Sequence, residues 1–172
     1  MLKVGGEGTI RRRVVLRWAC CGAGACLWGC GSDEEEPPPP PPPPTVVSLT
    51  LQATPDVNQT EAGEARPVSV RVLRLASVDD FLETGFFELD SDTKGVLGGD
   101  LIGEDAFTLA PGATQVYQRQ FEEDARFVAV MAAYRDIEGV NWRGVADVPR
   151  NRTTLLIAEL KASGLSLHEV GL

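Results

Sequence analysis

The stretch "RPVSVRVLRL", residues 66–75, alternates apolar and polar side chains. A period of two puts Val68, Val70 and Val72 on one face and Ser69 and Arg71 on the other, the pattern of a half-buried strand. Valine branched at Cβ also favours pleated backbone. Upstream, "TVVSLTLQA" (45–53) repeats the signature, with Val47, Leu49 and Leu51 sharing a face.

Between the two strands lies "TPDVNQTEAGEA" (54–65), polar and broken by Pro55, Asn58 and Gly63. It reads as a long exposed loop, and loops of that length are uncommon without a purpose. Asp56, Glu61 and Glu64 against Arg66 make it acidic, a flexible tip that favours a basic partner surface. A solvated connection with no binding role is the alternative.

Downstream, "SVDDFLETGFFELD" (77–90) changes character. Ser77 followed by Asp80 resembles a capping box, and Phe81 and Leu82 open an apolar face, so a short helix ending near Gly85 is predicted. "DSDTKGVLGGD" (90–100) reads as loop. "DAFTLAPGATQVYQRQF" (105–121) gives two short strands around a turn at Pro111-Gly112, and "ARFVAVMAAYRDIEG" (125–139) a central strand covered on both faces. "VNWRGVADV" (140–148) and "RTTLLIAELKASGLSLHEV" (152–170) supply the remaining edges. Phe86, Phe87 and Trp142 are expected in the core. Many short strands with turn signals and one small helix predict a mainly β chain, a two-sheet β-sandwich with a short helical insert.

The N-terminal part is an address. Lys3, Arg11, Arg12, Arg13 and Arg17 precede and enter the apolar run "VVLRWACCGAGACLW" (14–28), and small Gly29 precedes Cys30. That order is the one expected of a secretory signal over 1–29. The run is too short, and too interrupted by Arg17, for a spanning helix. "RRRVVLR" (11–17) also resembles a twin-arginine signal, with Val15 where an aromatic is common; general export is the other route. Leu27-Trp28-Gly29-Cys30 resembles a bacterial lipobox, with Trp28 bulkier than usual. The resemblance implies acylation of the Cys30 thiol, cleavage before it, and acylation of the new amine. Two or more chains hold stably at about 0.8 kcal/mol per buried methylene. An ordinary cleaved signal with Cys30 incidental is the alternative. Gly31, where inner-membrane lipoproteins often carry Asp, leans towards outer-membrane sorting.

Residues 30–44 then form a tether. Acids fill 33–36 and prolines fill 37–44, the latter a polyproline II rod of roughly 25 Å. The four cysteines, Cys20, Cys21, Cys26 and Cys30, all precede the domain at 45–172, so neither a disulfide framework nor a thiolate metal site belongs to it. The whole chain carries −9, and its first 29 residues are basic. The remainder is therefore strongly acidic and repels phosphates, which excludes nucleic acid as a partner.

The order "ATPDVNQTEAGEARPVSVRVLRLAS", "FFELD", "LAPG", "FVAVMAAYRDIEGVNWR" resembles the type VI secretion lipoprotein family TssJ (VasD/SciN) over roughly 49–160. The resemblance implies a transthyretin-like sandwich, lipid-anchored in the outer membrane and facing the periplasm. It implies as partner the periplasmic C-terminal region of inner-membrane TssM, within a TssJ–TssL–TssM complex. The family contact maps onto Asp56-Val57-Asn58-Gln59-Thr60-Glu61-Ala62-Gly63-Glu64-Ala65-Arg66. The proline rod is a departure from the family pattern. No cofactor is implied beyond the acyl lipid on Cys30.

Catalytic groups are scarce. His168 is the single histidine, and it reads as a strand-edge residue, not a base. A ureide hydrolase, the enzymatic rival on a transthyretin-like sandwich, draws on several. Asp90, Asp92 and Gly95 fit an EF-hand loop, but Lys94 and Leu101 stand where two ligands should be. A non-enzymatic tether is thus expected, with a periplasmic lipoprotein carrying a small molecule between its sheets as the rival.

Overall fold

The structure, a computed structural model, describes residues 39–171. The signal, Cys30 and the acidic run lie outside the described residues. Eight strands and a helical insert follow one another as β1 (Val46–Ala53), β2 (Val68–Leu75), α1 (Asp79–Glu83), α2 (Phe86–Ser91), α3 (Thr93–Leu97), a 3-10 turn (Gly98–Asp100), β3 (Leu101–Leu109), β4 (Thr114–Gln120), β5 (Phe127–Ala133), β6 (Arg143–Asp147), β7 (Thr153–Lys161) and β8 (Gly164–Glu169). They form two four-stranded sheets, β4-β1-β7-β8 and β3-β2-β5-β6. The expected two-sheet sandwich is what the chain adopts.

Every strand pair is antiparallel except β1 with β7. Val47, Leu49 and Leu51 meet Val68, Val70 and Val72 across the sandwich, all fully buried, with Leu156, Ala158 and Leu160 of neighbouring β7 beside the β1 residues on the same inner face. Period-2 alternation thus places the apolar faces inside as anticipated. The turn at 110–113 does not close a hairpin. β3 and β4 join different sheets, so this segment carries the chain across the sandwich. β7 is interior, while β6 and β8 are edges.

The insert differs from the single helix expected. Three short helices form, and the segment 90–100 read as loop contains α3. Asp92 caps α3, its Oδ1 accepting from Gly95 N at 2.8 Å, and buried Thr93 donates to Leu89 O at 2.7 Å. The Ser77–Asp80 capping box is not made: Val78 occupies the cap of α1, and Ser77 Oγ accepts instead from Asp79 N at 3.3 Å.

Phe81, Phe86, Leu89 and Leu97 of the insert pack on Leu73, Leu75, Ala129 and Met131, covering the outer face of β2 and β5. The doubly covered β5 is therefore as expected, whereas Phe87 is 70% exposed and not in the core. Two arginines clamp the insert down. Arg71 donates to Thr93 Oγ1 at 2.7 Å and to Asp90 O at 2.9 Å, and it pairs with the Asp90 carboxylate. Arg143 donates to Phe81 O at 2.6 Å and Thr84 O at 2.8 Å, and partial burial lowers its pKa.

Candidate partner-binding site

Strand direction sorts the loops to two poles. At the near pole the proline lead enters β1: Thr45 O accepts from Phe121 N at 2.9 Å, Thr45 Oγ1 from Asn151 N at 2.9 Å. Pro42, Pro43 and Pro44 line a groove there with Phe121 and Arg150. β1 then runs away for eight residues, about 26 Å at roughly 3.3 Å per residue. At its other end stands the far pole, built from 54–67, the turn at 110–113, the β5–β6 loop at 134–142 and the β7–β8 turn.

The 54–67 loop has two tiers. Its inner tier is locked. Val57 N donates to Thr54 O at 3.1 Å, and the Val57 side chain is fully buried in the inter-sheet core. Asn58 takes φ +50, a left-handed backbone that asparagine tolerates better than most residues. Its amide uses both ends: Nδ2 donates to Pro67 O at 2.8 Å, and Oδ1 accepts from Arg135 N at 2.8 Å. The loop is thereby tied to the β5–β6 connection.

The outer tier is a closed tip. Thr60 N donates to Glu64 O at 2.9 Å, and Gly63 N donates to Thr60 O at 2.8 Å. Gly63 sits at φ +78, where a Cβ would be strained. Arg66 pairs with the Glu64 carboxylate. The tip anticipated as flexible is in fact braced by its own backbone.

Of the eleven residues singled out from sequence, Asp56, Gln59, Glu61, Ala62, Gly63, Glu64 and Arg66 are exposed and Thr60 and Ala65 half-buried. Val57 and Asn58 are buried and hold the loop instead of presenting themselves. Missed in the site assignment were Arg135, Asp136 and Glu138, exposed beside the loop on the β5–β6 connection. The run "YRDIEG" between two apolar strands was their signal. Asp136 Oδ1 accepts from Gly139 N at 3.1 Å, and a small pocket of about 130 Å³ lies between Asn58, Gln59, Tyr134, Asp136, Val140 and Ala162. With Glu64 facing Arg66, the acids Asp56, Glu61, Asp136 and Glu138 outnumber Arg135 and give this pole a negative surplus.

Residues 45–163 match the family described as type VI secretion lipoprotein, VasD, EvfM, TssJ. This chain belongs to that family. Among solved structures, the T6SS lipoprotein TssJ1 from Pseudomonas aeruginosa is 35% identical, with 76% of this chain and 99% of that one covered at a TM-score of 0.73. Serratia marcescens Lip, a membrane-bound component of the type VI secretion system, is 31% identical over 75% and 98% at 0.68. A chain of the structure described as the T6SS protein TssM C-terminal domain from EAEC shares the fold at 22% identity, over 74% and 98%, with a TM-score of 0.59. No curated protein matches the chain. Membership in this secretion lipoprotein family accords with the lipobox-like Leu27-Trp28-Gly29-Cys30.

Asp90 and Asp92, which share only part of a calcium-loop spacing, have other partners here. Asp90 faces Arg71 and Asp92 caps α3. Among the described residues no cluster of three or more His, Cys, Asp or Glu side chains is placed to hold a metal ion. His168 lies exposed on edge strand β8.

Proposed function

We propose that the chain is a non-enzymatic tether of the type VI secretion envelope complex. Acyl chains on Cys30 hold it in the outer membrane with its domain in the periplasm. Its far pole, Asp56 to Arg66, grips the periplasmic C-terminal region of TssM within a TssJ–TssL–TssM assembly. Family membership supports the role, and the likeness to a chain of a TssM C-terminal domain structure accords with that partner.

The observation that carries the reading is the opposition of the two poles. The lead from the anchor joins at one end of β1, and the braced acidic tip projects from the other. A strand of about 26 Å separates the tip from the near pole where the proline lead enters. Two coupled contacts, lipid and partner, then reinforce one another through effective concentration. The inter-sheet space is filled by fully buried Leu49, Leu51, Val70 and Val72, which argues against a small-molecule carrier.

The test is capture of a TssM periplasmic fragment by the chain with residues 59–65 replaced by a short Gly-Ser linker. Val57, Asn58 and Pro67 are kept so that the inner tier survives. Capture should fall at least tenfold at an unchanged melting temperature; equal capture refutes the loop assignment. In parallel, Cys30→Ala should move the protein from membrane to soluble periplasm.

A further inference from the structure

The two sheets treat their outer faces differently. The β3-β2-β5-β6 sheet is covered by the insert, whereas the outer face of β4-β1-β7-β8 has no covering element among the described residues. Register places two rows across β4, β1 and β7, Val116–Thr50–Ile157 and Gln118–Ser48–Leu155, and exposed His168 continues the first row onto β8. None of the six on β4, β1 and β7 is charged, in a chain that is 24% charged and carries −9 overall. Val116 is 56% exposed, and the other β1 and β7 members are half-buried. The charges bordering the rows are already paired, Glu159 with Lys161 at 2.7 Å and Arg152 with Glu169 at 3.1 Å.

We infer that this outer face is a pairing surface for a second copy of the chain. Two copies this acidic repel one another over most of their surfaces. A face whose β4, β1 and β7 side chains are uncharged and whose border charges are paired is where they can meet without opposing like charges. Hydroxyl, amide and aliphatic side chains suit sheet-on-sheet packing. The face has no Lys, Arg or Trp among the central rows, the residues by which a surface seats itself in a bilayer. Its size fits a modest interface. Four strands about 4.8 Å apart and about 26 Å long offer roughly 500 Å² per copy, or about 1,000 Å² in all. A two-fold axis in the interface and parallel to the strands keeps both near poles at one end. That orientation alone rests on the anchored reading above; the pairing does not.

The experiment uses the full chain in the membrane of the cell that exports it, with a photo-crosslinking amino acid at Thr50. Irradiation should yield a two-chain species whose peptides come only from this protein, joined within β1, β4 or β7. The same probe at Phe87, on the insert side, should yield at least tenfold less. Val116→Lys, at a side chain already largely exposed and set by the two-fold opposite the other copy's β8, should cut the Thr50 product about tenfold, and co-expression with His168→Glu should restore it. A merely structural defect would not be rescued by the opposite charge, so absence of rescue overturns the proposal. So does a Thr50 probe that yields only monomer, lipid adducts or a different protein. Capture of the TssM fragment is read on the same variants. It should be unchanged, which separates failure of this face from failure of the far pole.

Discussion

Arg135 donates its backbone N–H to the Asn58 side chain at 2.8 Å, joining two loops that are 77 residues apart in sequence. The other end of the same amide holds Pro67 O. Asn58 is therefore the pin of the far pole, buried and bonded to both the β2 lead and the β5–β6 connection.

Asn58→Ala should cost roughly 3 kcal/mol, from two lost part-buried hydrogen bonds and an alanine forced into left-handed backbone. Asn58→Gly relieves the backbone but not the bonds, and should recover about 1 kcal/mol of that. Urea denaturation of both variants measures the difference. Partner capture should fall in both although no exposed residue has changed.

A β-carbon on Gly103 would collide with the Arg74 guanidinium at Nη2. Arg74 points between the sheets, only 7% exposed, and donates to Asp105 at 2.7 Å, Glu122 at 3.2 Å and Tyr117 Oη at 3.2 Å. Burial pulls its pKa down, but the Tyr117 hydrogen bond and the charges on Glu122 and Asp105 outweigh this and leave it raised. Gly103→Ala should displace the guanidinium and cost about 1–3 kcal/mol. Arg74→Leu should cost more, because Asp105 loses a buried partner. Combined, the two should fall short of additivity by at least about 1 kcal/mol, since the clash vanishes with the arginine.

Tyr134 is 6% exposed and its hydroxyl has no well-formed hydrogen bond. Burial raises its pKa above the ordinary 10.0, with the Lys161 backbone as a weaker opposing influence. Below pH about 10 the group is protonated in both folded and unfolded chains and contributes nothing to the pH dependence. Above that, the unfolded chain ionises first, so stability falls as pH rises. Tyr134→Phe should flatten this alkaline decline in melting temperature and leave stability at pH 7 equal or higher. Tyr117, whose pKa is also raised by burial, accounts for a part that remains.

Phe86 and Phe87 are neighbours with opposite fates. Phe86 is 8% exposed and packs edge-on against Trp142 at 5.2 Å, whereas Phe87 is 70% exposed. Phe86→Ala should cost about 3 kcal/mol and loosen the insert, read as faster amide exchange across α1 to α3. Phe87→Ser should stay within about 0.5 kcal/mol of the parent.

What the chain could announce locally, it did. Alternation in 46–53 and 68–75 determined two half-buried strands, because side-chain period is a property of the backbone itself. Breakers at Pro55, Asn58 and Gly63 determined a loop between them, and the acid surplus of its exposed residues was equally plain. Partner choice was not local. Only tertiary structure sent β3 and β4 to different sheets and paired β1 parallel with β7, because hydrogen-bond partners come from distant segments. The same long-range packing buried Arg74 beside Asp105 and turned Phe87 outward. It also converted Asn58 from a candidate contact into a fastener, since that role exists only when Arg135 arrives from across the fold.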